Sequence, residues 1–144
     1  MAIDSPSTRL RMAAASAPID VRVDAMRSVA GMSEVLQVYT ATGSREAAQR
    51  LAQGAVRARL AAGGQIIGPV ESLFWHEGTF GTGQEWQVVL KASRGQYQEL
   101  ESYLRAHHEW ANPEIIALPV IAGSEPYLAW VRGITERTDE PQRE

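Results

Sequence analysis

The sequence predicts an α+β fold in which one antiparallel sheet of four strands carries two long helices on a single face, with a short helix closing the chain. Two observations predict it. Apolar periodicity alternates between two and three-to-four residues across residues 34–136, in the order strand, helix, strand, strand, helix, strand, helix. Crossovers between strands of one sheet are right-handed almost without exception, and two split strand–helix–strand units of that order place both long helices on the same side. The strands are rich in Val, Ile, Leu and Trp, so the opposite sheet face needs a cover, and a second copy of the chain is the expected one.

The elements follow in order. Val35 to Thr40 is a β-branched, apolar run ended by Gly43-Ser44, and Ser44 is placed to cap a helix through the backbone of Ala47. In that helix Ala48, Leu51, Ala52, Ala55, Val56 and Leu60 share one face, and Gly63-Gly64 is expected to end it. Gln65 to Glu77 and Trp86 to Lys91 then read as a hairpin whose turn carries Gly78, Gly81 and Gly83. Pro69 cannot donate a ladder hydrogen bond and belongs at an edge or a bulge. A second helix is expected from about Arg94 to His107, capped by Ser93, with Tyr97, Leu100 and Leu104 inward. Pro113 stops it, Ile115 to Val120 supplies the fourth strand, and Ser124-Glu125-Pro126 opens the short helix carrying Tyr127, Val131 and Ile134. This is the ferredoxin-like βαββαβ arrangement with a C-terminal helix added.

Residues 1–33 show no sustained period that would bury a face and read as a flexible leader, while 137–144 read as a polar tail. The 144 residues are 44% hydrophobic and 22% charged, which suits one globular domain. A net charge of −3 gives no general attraction to nucleic-acid phosphates or anionic lipid, so neither partner is expected. No apolar run approaches the roughly 20 residues of a membrane span, and charges interrupt the first thirty residues, so a cytoplasmic location is expected. The absence of cysteine excludes disulfides, thiolate metal sites and a cysteine nucleophile. Any metal must be held by His, Asp or Glu.

Several short blocks, in this order, resemble the CutA divalent-cation-tolerance family. They are Val38-Tyr39-Thr40, Arg59-Leu60-Ala61-Ala62, Ser72 with Glu77-Gly78, Glu85 and Lys91, His108 with Pro113-Glu114-Ile115, and Tyr127-Leu128-Ala129-Trp130. The resemblance covers about residues 34–135. It implies a ferredoxin-like subunit assembled as a tight homotrimer, akin in architecture to the PII signalling proteins, with clefts between subunits and a link to tolerance of copper and other divalent metals. Three departures stand out. Gly63 replaces the family's cysteine, Phe74 and His76 stand where Tyr and Trp are usual, and His108-Glu109-Trp110-Ala111 replaces a stretch that normally ends in a carboxylate.

The chemistry-bearing residues support two readings. In the first, His76, His108 and Glu109 are metal ligands, because neutral imidazole and carboxylate suit Cu(II), Zn(II) or Ni(II) without a thiolate. His107 is adjacent to His108 and projects elsewhere, so the two do not share an ion in one chain. In the second, the cleft binds a small molecule between Phe74, Trp75, His76, Glu85, Lys91, His108, Trp110 and Glu114. An enzyme or ligand sensor built there would use His108 or His76 as acid or base, Glu109 or Glu114 as its partner, and Lys91 as a clamp for an anionic group. Against both stands the plainer account of hydrogen-bonded or surface histidines and of tryptophans Trp75, Trp86, Trp110 and Trp130 serving packing. Lys91, alone in an apolar strand, either pairs with Glu114 across the sheet or faces a cleft. No nucleophile elbow, phosphate loop or dinucleotide fingerprint is present, and no organic cofactor is expected. His76, His108, Glu109, Glu114 and Lys91 are expected to converge across a subunit boundary, with His108→Ala weakening binding and leaving stability unchanged.

Overall fold

The computed structural model describes residues 34–136; the expected leader and tail lie outside them. Strand β1 (Val35–Thr42) enters helix α1 (Arg45–Arg57), and Ser44 accepts a hydrogen bond from the Ala47 amide at 3.1 Å, the cap the sequence announced. Helix α1 ends before the glycine pair. Arg59 takes a left-handed conformation (φ 59°) and the Leu60 amide reaches back to the Ala55 carbonyl, so the backbone turns without glycine. Gly63 and Gly64 instead begin β2 (Gly63–His76), opposite Lys91 and Leu90 of β3 (Thr79–Ser93).

The β2–β3 hairpin turns on two residues, Glu77 and Gly78, both at positive φ (49° and 77°), as a tight right-twisted hairpin demands. Gly81 and Gly83 are not in the turn. They lie in β3 beneath Phe74, and a Cβ on Gly81 would meet that ring at 2.9 Å. Pro69 sits where sequence chemistry places it, in a bulge between Ile67 and Val70 on the edge strand, after a cis Gly68-Pro69 bond.

Ser93 does not cap the second helix through its side chain. A single 3-10 turn (Arg94–Gln96) intervenes before α2 (Tyr97–His107), followed by β4 (Ile115–Pro119) and α3 (Glu125–Thr135), which has Pro126 in its first turn. The sheet order is β2-β3-β1-β4, antiparallel throughout. That is the predicted arrangement.

One face of the sheet carries the main core. Leu36, Val38, Val88, Leu90 and Ala92 meet Ala48, Leu51 and Ala55 of α1 and Leu100 and Leu104 of α2. At about 25 cal/mol per Å² of apolar surface, each fully buried leucine contributes roughly 1.5–3 kcal/mol. The other face is covered only at one end, where α3 packs Val131 against Val35 and Ala62. Along the rest of it Ile67, Ile116 and Leu118 remain about half exposed.

Beyond Trp86, β3 has no partner except β2, so Val70–His76 and Thr79–Glu85 form a projecting two-stranded arm. Its apolar side chains are bare, with Leu73 64% and Trp75 76% exposed. A two-stranded ribbon is marginally stable alone in water and gains from being covered.

Candidate functional site

The expected site residues fall into three places. The first is the tip of the arm. His76 stands next to the turn with its Nε2 3.9 Å from a Glu77 carboxylate oxygen, and both side chains are largely in solvent, so the contact adds little to stability. Phe74 lies over Gly81 on one face of the arm. Trp75 meets Phe80 edge to face on the other, with centroids 5.9 Å apart. Glu85 lies at the base of the arm, opposite Val70.

The second place is the connection from α2 to β4, where His108 has a different employment from the one expected. Its Nδ1 accepts from the Trp110 amide at 3.0 Å, and its Nε2 donates to the Ala41 carbonyl at 2.8 Å. Both ring nitrogens are therefore committed inside the chain, which leaves neither a lone pair for a metal nor a site for a substrate proton. His108 is a latch that ties the connection to β1. Trp110 packs beside the latch, its ring 5.2 Å from the imidazole and against Gly43. Glu109 is held by Arg50 of α1 at 3.2 Å. His107 turns away, stacking on Tyr103 and bonding to its carbonyl, as the argument from adjacency expected. A cavity of about 240 Å³ opens nearby, lined by Glu101 and Arg105 of α2 and by Asn112, Pro113 and Ile115. Sequence reasoning did not find it, because the Pro113-Glu114-Ile115 block supplies only one wall and Glu101 and Arg105 of the other belong to no motif.

The third place is the incompletely covered sheet face, where Lys91 sits directly opposite Gln37 on one side and Gly63 on the other. Burial pushes its ammonium below the ordinary lysine value. Of the two expectations for Lys91, pairing with Glu114 does not occur. Glu114 precedes β4 in the row beyond Thr40, while Lys91 lies in the row of Gln37, about 10–13 Å away along the strands and across β1. Gln37 donates its side-chain amide to the Tyr39 hydroxyl. Trp130 of α3 rests against Gly63, its ring 3.6 Å from where a Cβ would stand. Gln37 and Tyr39 escaped sequence reasoning as site residues because alternation marks a face without saying what remains uncovered on it.

Within one chain these places do not converge. His76 pairs with Thr79 at the far end of β3 from Lys91, roughly 40 Å of extended strand. Among the described residues no three His, Asp or Glu side chains stand close enough to hold one metal ion. Bringing the arm tip to either of the other places requires a second copy.

Comparison with known proteins gives a consistent result. Residues 36–133 match the family model described as CutA1 divalent ion tolerance protein. The rice "Protein CutA 1, chloroplastic" is 32% identical over 113 residues, covering 78% of this chain and 64% of that protein. The Arabidopsis thaliana "Protein CutA, chloroplastic" is 35% identical over 98 residues, covering 68% of this chain and 54% of its own length. The chain thus matches under two thirds of either plant relative. Among solved structures, the divalent cation tolerance protein CutA1 of Thermus thermophilus superposes with a TM-score of 0.69 at 31% identity, covering 70% of this chain and 98% of that one.

Proposed function

The chain belongs to the CutA1 divalent ion tolerance family, and from that membership we propose that it works in the cytoplasm as a homotrimer that binds a divalent cation, copper or zinc, or a small ligand, in clefts between subunits. The observation that carries this reading is the bare arm with His76 and Glu77 at its tip. One imidazole and one carboxylate are two donors of the type Cu(II) and Zn(II) accept, and two are too few for a closed site. A neighbouring copy supplies the rest while covering Leu73, Trp75 and part of the open sheet face, leaving a cleft at its margin, so association and binding become one event. His108 and Glu109 stand outside this ligand set, since the first is a latch and the second is engaged by Arg50.

Calorimetric titration of the tag-free protein with Cu(II) and Zn(II) tests the proposal. Saturable binding is expected, with His76→Ala weakening it about tenfold or more. Binding unchanged in His76→Ala, or none in the wild type, overturns the cation reading. The second reading, a ligand sensor or enzyme in the same cleft, draws its support from the Lys91 surroundings.

A further inference from the structure

We propose that Lys91, Gln37 and Tyr39, walled by Trp130, form a binding site for a small organic anion whose carboxylate or phosphate head meets the ammonium and whose flat body lies against the indole. The inference rests on the cleft reading above and names the ligand class at one of its walls.

The polarity of the cluster follows from one hydrogen bond. The Gln37 amide and the Tyr39 hydroxyl are hydrogen-bond partners, so a polar pair stands on this face beside Lys91. Gln37 is directly across from Lys91, and Tyr39 is its diagonal neighbour, paired with Val89. Cross-strand diagonals are about 7–8 Å apart, within reach of a lysine and a tyrosine on one face. One cation and a polar amide–hydroxyl pair therefore share a small patch, and the cation favours an acceptor carrying negative charge.

No carboxylate of the described residues forms an ion pair with Lys91. The nearest acidic residue of β3 on that face, Glu85, is six positions away, about 20 Å along the strand. A lysine whose hydration is curtailed by burial and whose charge is not met by its own chain gains more from an incoming anion than a fully solvated one would.

Space and shape come from Gly63. It faces Lys91 in register and has no side chain, and the Trp130 ring packs into the room this leaves, 3.6 Å from where a Cβ would stand, which brings the indole into the row of Lys91. Trp130 is 47% exposed and has Tyr127 beside it at 5.7 Å between centroids, which makes a flat apolar wall next to a charge. Lys91, Gln37, Tyr39 and Trp130 include no carboxylate or imidazole to hold a divalent cation. They do offer an ammonium and an indole to an anion with a ring or conjugated body.

The test titrates the full chain with benzoate and with inorganic phosphate, following tryptophan fluorescence and calorimetric heat, and measures mass by light scattering. Expected is saturable binding of benzoate, weakened at least tenfold by Lys91→Met and severalfold by Tyr39→Phe, with mass unchanged and with Lys91→Arg retaining most of it. Phosphate binding as tightly as benzoate would remove the indole wall from the proposal and so overturn it as stated. Absence of saturable anion binding in the wild type overturns it, as does Lys91→Met binding like the wild type. A fall in mass on Lys91→Met also overturns it, because the lysine would then be meeting a second copy of the chain. Zn(II) titrated in parallel separates the two readings: zinc bound without benzoate removes this inference alone, and neither bound removes both.

Discussion

At the scale of single residues, the same side-chain type does opposite work according to what its neighbours leave free. His76 stands largely in solvent beside Glu77, whereas His108 spends both nitrogens on backbone groups of two separate segments. His108→Ala is therefore expected to lower stability by about 1–2 kcal/mol, read as a shift in the urea midpoint, while zinc affinity stays as it was. A loss of zinc binding with stability intact would restore the ligand role that imidazole chemistry suggested. Lys91 gives a pH signature of its own. Its ammonium sits below the ordinary value of 10.5 because of burial. Between the lowered value and 10.5 the unfolded chain holds a proton that the folded one has released, so stability rises with pH across that window. Urea midpoints stepped through the alkaline range should show the wild type gaining on Lys91→Met. Equal slopes would mean that the lysine is as well hydrated as in the unfolded chain.

At the scale of elements, sequence pattern and outcome diverge where glycines are concerned. Three glycines near residue 80 read as one loose turn, yet only Gly78 turns, while Gly81 makes room for Phe74 on the partner strand. Composition marks where a Cβ is unwelcome. It does not say whether backbone twist or a neighbouring ring is the reason. Gly81→Val is expected to push the Phe74 ring aside, cost about 1–3 kcal/mol locally and speed amide exchange along the arm without altering exchange in α1. The Gly63-Gly64 pair misleads in the same way, because the end of α1 is made by Arg59 in a left-handed turn. Ser44, by contrast, was legible in full, since a cap is decided within four residues of chain. The number of strands and their arrangement were legible too, but not their lengths, since β3 runs from Thr79 to Ser93 where only Trp86 to Lys91 was expected. The site was legible only as a roster of residue types, because which of them remain unsatisfied depends on contacts such as Ala41 with His108 and Arg50 with Glu109 that no local pattern encodes.

At the scale of the whole molecule, a well-filled core on one sheet face stands against apolar surface on the other. Ile67, Ile116 and Leu118 on that face, with Leu73 and Trp75 on the arm, are large apolar side chains left about half exposed or more, the kind of surface that association covers. Light scattering at micromolar concentration is expected to return three times the 15.8 kDa of one chain. A single-chain mass would mean that neither the face nor the arm is covered by association, and the cleft proposals would lose their geometry. Replacing Ile116 and Leu118 together by Glu is expected to dissociate the assembly, since like charges on a shared apolar face repel and carry their hydration with them.

The sheet order has a further consequence for how the molecule is made. Strand β1 is central, yet Val38 pairs with Leu90 on one side and with Ala117 on the other. The hairpin of β2 and β3 can zip within about 10 μs of leaving the ribosome. The first strand must wait for β3, and its outer edge then stays bare until β4 is synthesised, on the order of seconds later. A chain released after Asn112 would hold three paired strands with the unsealed backbone of Val35–Thr42 along one rim, a template for pairing with the next such chain. The short strand β4 thus acts as the closing seam of synthesis, and the last stretch of sheet to be translated is the one that renders the first safe.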